Sequence, residues 1–234
     1  MQHPVIALVL SMTSTLGAAP SPELSVRYEQ PDSARAEQAR KLLKDSGALK
    51  TTIRLPKPVK VVVRDCDSPS AAWDREDRRI TICYSLVDKV RRTMTGLSQT
   101  EEADARTTDA RMDGALAVLF HHQLGHALSS LNGLEDSHAQ ADQFAALTLA
   151  ADAPERVVSA AEARHLLAGH TGVDHLSGLA ESATFACLLY GSDTVKHARI
   201  AQGGWVPAER APSCAGEYQR VRSAVGSMAV KVGT

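Results

Sequence analysis

Ala115-Leu116-Ala117-Val118-Leu119-Phe120-His121-His122-Gln123-Leu124-Gly125-His126-Ala127-Leu128 is the stretch on which the reading of this chain turns. At its centre stand two histidines four apart, His122 and His126. On a helix, positions i and i+4 stack on one side, so both imidazoles can reach one metal ion. The spacing is that of the H-E-x-x-H zinc motif with one letter changed, and the changed letter, Gln123, falls where the general base would sit. A histidine pair alone is a weak signal, because ordinary helices carry it too. The run Ala115 to Phe120 strengthens it, being apolar nearly all round as in a helix buried in the middle of a domain. Gly125 leaves room for a close neighbour, a strand or a substrate backbone.

Beyond a turn at Asn132-Gly133, a second helical stretch places His138 and Asp142 four apart on one face. A catalytic zinc takes three protein ligands and keeps a fourth position open, and each ligating imidazole has its other nitrogen held by a carboxylate or carbonyl. His138 is therefore the expected third ligand, and Asp142 the expected partner of one of the helix histidines. Glu135 and Asp136, carboxylates a turn earlier, stay open as alternatives to His138. The apolar stretch Phe144-Ala145-Ala146-Leu147 marks this second helix as packed.

Three separated segments carry a resemblance. Leu119 to Leu128, with Ala141-Asp142-Gln143-Phe144-Ala145-Ala146-Leu147 behind it, is the first. Cys66 through Ala71-Ala72-Trp73-Asp74 to Arg79-Ile80-Thr81-Ile82-Cys83-Tyr84 is the second, and Cys187-Leu188-Leu189-Tyr190-Gly191-Ser192-Asp193 with Arg210-Ala211-Pro212-Ser213-Cys214 the third. Together they resemble a bacterial family of metallopeptidase-like proteins, domain of unknown function 4344, over most of the chain after residue 50. The resemblance implies a mainly helical α+β, zincin-like single domain with a small β-sheet beside the metal-motif helix. It also implies zinc as the cofactor and a peptide or protein as substrate or ligand. A histidine stands in the family pattern where this chain has His175, before Cys187, and by analogy with other zinc peptidases it would donate a hydrogen bond to a developing oxyanion. The departures are as informative. The family pattern has Glu where this chain has Gln123, His138 and Ser85, and Gln-Arg where it has Ala180-Glu181. The scaffold is kept and the polar positions are altered.

In a zinc peptidase the metal polarises the scissile carbonyl and acidifies its water, while the motif glutamate takes the water's proton and passes it to the leaving amine. Glutamine is nearly isosteric but has no basic oxygen at neutral pH. Loss of a general base costs ~100- to 10,000-fold in rate. Three readings follow: a secreted metallopeptidase relative that is weakly active or uses Glu135, Asp136 or His121 as base; a pseudopeptidase that binds a peptide or protein in the old cleft; and a repurposed three-histidine zinc enzyme.

Residues 1–20 contain a short apolar run, Val5 to Leu10, and end in Ala18-Ala19-Pro20. That reads as a secretory signal, with 21–234 as the metallopeptidase-like domain and a secreted or periplasmic location. No later run is long and uncharged enough for a membrane span. The net charge of -1, with acids and bases interspersed, gives no footprint for nucleic acid. Four cysteines in an exported chain favour two disulfides. Arithmetic leaves three pairings open; Cys66 with Cys83 and Cys187 with Cys214 are preferred because each pair flanks one compact segment.

Elsewhere the patterns predict a helix over 32–48 ended by Gly47, a strand at Val59 to Val63, and a charged hairpin loop from Trp73 to Arg79. Ile80 to Tyr84 returns as the partner strand. A helix begins over Leu86 to Met94, Thr95 to Asp104 is polar and mobile, the motif helix runs from about Asp109 to Ser130, and Pro154 opens another. His165, His170 and His197 read as surface residues, and His121 as a packed or solvent-facing neighbour of the site.

Overall fold

The computed structural model describes residues 24–53, 55–100, 105–168 and 178–229. The stretch read as a secretory signal, and both His170 and His175, lie outside them. The described residues form a mainly helical α+β domain: eight α-helices and one four-stranded sheet.

The sheet is built from β1 (Leu24–Tyr28), β2 (Val59–Arg64), β3 (Ala71–Asp74) and β4 (Arg79–Cys83) in the order β1-β2-β4-β3. β1 pairs with β2 and β2 with β4 in parallel, while β3 runs antiparallel to β4. The β-branched alternation of β2 puts Val59, Val61 and Val63 on one buried face, joined there by Ile80, Ile82 and Ala71. Two expectations are corrected. Trp73 and Asp74 are strand rather than loop, and the hairpin connection shrinks to residues 75–78, where Arg78 takes a left-handed φ of 48°. The parallel pairing of β2 with β4 follows, because β3 supplies the antiparallel partner that reverses the chain. β1 had not been read from sequence; its Leu24 and Tyr28 pack against the core at one sheet edge.

α1 (Ala34–Ser46) crosses between β1 and β2, capped by the Ser33 hydroxyl and ended by Gly47 at φ 60°. α2 (Tyr84–Thr100) runs further than its apolar pattern suggested. Val87, Val90, Met94 and Ser98 are all buried, so the helical face continues through the stretch expected to be mobile, as far as residue 100.

α3 (Ala105–Leu131) is the central helix, packed against α1, α2, β3 and β4, and against the two helices that follow it, α4 (His138–Asp152) and α5 (Val157–Ala168). Its apolar composition all round is what allows neighbours on every side. α6 (Leu179–Ser192), the short α7 (Ala198–Gln202), and α8 (Cys214–Ala229), which follows a 3-10 turn at Ala211–Ser213, complete the helical layer. His197 is buried, not exposed: its Nδ1 lies 3.1 Å from the Leu189 carbonyl and closes the end of α6.

Cys66 is bonded to Cys83, and Cys187 to Cys214. The first clips the end of β4 to the loop after β2; the second ties α6 to the start of α8 across 27 residues. Loop closure of that size stabilises the native state by roughly 3–4 kcal/mol, with 2–5 typical for native disulfides. Replacing Cys187 and Cys214 by alanine should lower the urea-unfolding free energy by about that amount, and an unchanged midpoint would contradict the account.

Candidate metal centre

α3 and α4 form an antiparallel pair joined by a tight turn. The N–H of Gly133 bonds to the Ser130 carbonyl at 3.2 Å and that of Leu134 to the Ser129 carbonyl at 2.9 Å, with Gly133 at φ 69°. This glycine-terminated helix end turns the chain back within a few residues. Ser137 then caps α4 by accepting from the Gln140 N–H, which sets His138 at the first helical position. The two helices approach closely at Gly125. A Cβ there would overlap the Ala141 carbonyl oxygen and come within 2.8 Å of the Ala141 Cα. Its neighbour is thus the backbone of α4, neither a strand nor a substrate. Gly125→Ala should force α3 and α4 apart at a cost of about 3 kcal/mol, a drop of roughly 6–12 °C in melting temperature. It should also disperse the histidines, read as weakened metal binding by whatever protein remains folded.

Because α4 returns across α3 at this distance, His138 arrives beside His122 and His126. His122 Nε2 stands 3.2 Å from His126 Nε2 and 3.2 Å from His138 Nδ1. The three candidate ligand nitrogens lie within 4.8 Å of one another. Tetrahedral zinc with Zn–N bonds of 2.0–2.1 Å sets its ligand nitrogens about 3.3 Å apart. The side chain of His122 is fully buried, that of His126 is 12% exposed, and His138 is exposed, so the cluster grades from the core to solvent.

The outer nitrogens are also engaged. His122 Nδ1 lies 2.7 Å from Asp142 Oδ1, and His126 Nδ1 lies 2.5 Å from Asp136 Oδ1. An ionised carboxylate only accepts, so each Nδ1 carries its proton and each Nε2 presents a lone pair. Two lone pairs facing each other at 3.2 Å repel unless a proton or a metal ion stands between them. Three such nitrogens with carboxylates behind two of them are a donor set that fits zinc. Burial by itself would raise the Asp142 carboxyl, but the His122 hydrogen bond and the Arg164 guanidinium 3.2 Å away outweigh it and hold the group below the usual carboxylate range. Burial pushes the His122 imidazole down, against the pull of Asp142, which favours the neutral ligating form.

The other sequence candidates are placed as follows. Glu135 is exposed, and neither it nor Asp136 belongs to the group of converging nitrogens; Asp136 is occupied with His126. His121 is buried and turned to α4, its Nδ1 3.0 Å from the Thr148 hydroxyl, and burial lowers its pKa to about 4. It is a packed neighbour, not a solvent-facing one. Gln123 is buried, and its amide Nε2 has no hydrogen-bond partner among the described residues. An unpaired buried N–H costs about 1–3 kcal/mol unless a polar group meets it, as at a functional cleft. Two residues take roles here that the motif spacing does not announce: Asp136, a candidate ligand or base by position, is the partner of His126, and Arg164 is the partner of Asp142. The signal for Arg164 was present: with Ala160, Ala163 and Leu167 it occupies the apolar face of α5, where an arginine is out of place.

Fold and centre together define a mainly helical α+β protein with a three-histidine cluster on a helix pair. A family profile described as "Putative metallopeptidase" (domain of unknown function 4344) matches residues 28–227, and the chain belongs to that family. No curated protein and no solved structure matches it.

Proposed function

We propose that this chain is an exported, zinc-binding metallopeptidase relative in which peptide hydrolysis is weak or lost because Gln123 replaces the general base. The observation that carries the reading is the convergence of the His122, His126 and His138 nitrogens, with two of the three rings held from behind by Asp142 and Asp136. These three imidazoles would hold the ion. A zinc bound there supplies a Lewis acid that polarises a carbonyl and makes water a stronger acid.

The chain's own groups supply the rest. Gln123 can donate its amide N–H to water or a carbonyl and so orient it, but cannot accept the proton. β3 is an edge strand lying against α3, and its unpaired side can add an extended peptide by backbone hydrogen bonds. His175, should it stand near the centre, would serve as an oxyanion donor. The export signal over residues 1–20 and the two disulfides fit a secreted or periplasmic protein; among the described residues no helix is long and apolar enough to cross a membrane.

A second reading, a pseudopeptidase that binds peptide without cutting it, is favoured by one feature. Two groups that could replace the missing base are committed elsewhere, Asp136 to His126 and His121 to Thr148. Zinc stoichiometry on the purified protein, followed by an unbiased peptide-library digest, separates the readings. One zinc per chain with slow cleavage supports the first; one zinc with peptide retention and no cleavage supports the second. Cleavage at rates ordinary for zinc peptidases overturns both, and absence of zinc removes the centre altogether.

A further inference from the structure

The largest fully buried side chain in the described structure is charged: Arg164, on α5, is 1% exposed. A guanidinium in that environment is costly to desolvate unless it is paired with good geometry. Its Nη2 lies 3.2 Å from Asp142 Oδ2, and Asp142 Oδ1 in turn accepts the hydrogen bond of His122 Nδ1–H at 2.7 Å. Each Asp142 oxygen therefore has its own partner, and the line Arg164, Asp142, His122 runs from α5 through α4 to the buried corner of the histidine cluster.

We propose that Arg164 is a positioning residue for the metal centre, fixing the Asp142 carboxylate so that the His122 Nε2 lone pair is aimed at the shared site. The inference rests on the metal-centre reading above. The two carboxylates behind the cluster differ in what supports them. The side chain of Asp136 is 46% exposed, and water can stabilise its charge; that of Asp142 is 7% exposed, and the charge opposite it is Arg164. The guanidinium is rigid and permanently charged, and its Nη2 contact holds one oxygen of the carboxylate while the other holds the His122 ring. Loss of such an outer partner typically weakens metal binding ~10- to 100-fold while leaving the ligands in place.

The simpler alternative is that Arg164 only braces α4 to α5. The protein contains its own control for that. Arg111 on α3 pairs with Glu162 on α5 at 2.8 Å, is 8% exposed, and also reaches the Ser98 hydroxyl rather than a group of the histidine cluster. The test compares zinc affinity, by chelator competition, and melting of the zinc-free protein for Arg164→Met, Arg164→Lys and Arg111→Met. The inference expects Arg164→Met to bind zinc ~10- to 100-fold more weakly. Arg164→Lys should recover part of that loss, and Arg111→Met should melt earlier with unchanged affinity. Should Arg164→Met be unable to fold, Arg164→Lys, which keeps the charge but not the rigid planar donor, carries the test with a smaller loss expected. Wild-type affinity in Arg164→Met, or in Arg164→Lys where only that variant folds, overturns the inference but leaves the metal centre standing, as does an equal loss in Arg111→Met. No zinc binding by the unmodified protein overturns both.

Discussion

Changing Gln123 to glutamate is expected to raise peptide hydrolysis by the zinc-loaded protein about 100- to 10,000-fold, the range that a positioned general base contributes. The two side chains are nearly the same shape, so the volume packed at this position is unchanged. What changes is that a carboxylate replaces a buried amide whose Nε2 has no partner among the described residues. The new oxygen can accept a proton from water and deliver it to a leaving amine, which the amide cannot. The measurement is a peptide-library digest read by mass spectrometry, with zinc content matched between the two proteins. An inert but zinc-loaded Gln123→Glu variant would mean that more than the residue at position 123 separates this chain from an active peptidase, and the pseudopeptidase reading would stand.

The second large effect is at His122. Both 3.2 Å nitrogen contacts run through this residue, and its ring is the buried one. His122→Ala should abolish stoichiometric zinc binding, a loss well beyond the ~10- to 100-fold that removal of an outer partner causes. It also leaves the ionised pair Asp142 and Arg164 with one fewer partner in the core, so stability should fall as well. His121→Ala is the matched control. His121 is adjacent, equally buried, and bonded to Thr148 further along α4 rather than to Asp142. It should cost stability and leave zinc binding intact. If both variants retain zinc, the ion is held elsewhere and the centre described above is wrong.

Much of the fold was legible in local pattern. The all-round apolar run predicts the central helix, the valine alternation predicts β2, and Gly47 predicts the end of α1, because each depends on residues close in sequence. The misread elements share a different cause. Trp73 and Asp74 sit among charged residues and look like loop until β4 offers them a partner, and the stretch after Met94 looks polar until Ser98 is seen to be buried against Arg111.

For the site, sequence alone determined the histidine spacing, the glutamine at position 123, the presence of His138 and Asp142 one turn apart, and the cysteines. What it left open was which groups meet. The choice among His138, Glu135 and Asp136, the assignment of Asp136 and Asp142 to different rings, and the burial of Arg164 all depend on how α4 returns across α3. That approach distance is set by Gly125 against the Ala141 backbone and by the turn at Gly133. Spacing along a chain fixes which side chains share a helix face, but only the packing of one face on another decides whether their nitrogens come within reach of a single ion.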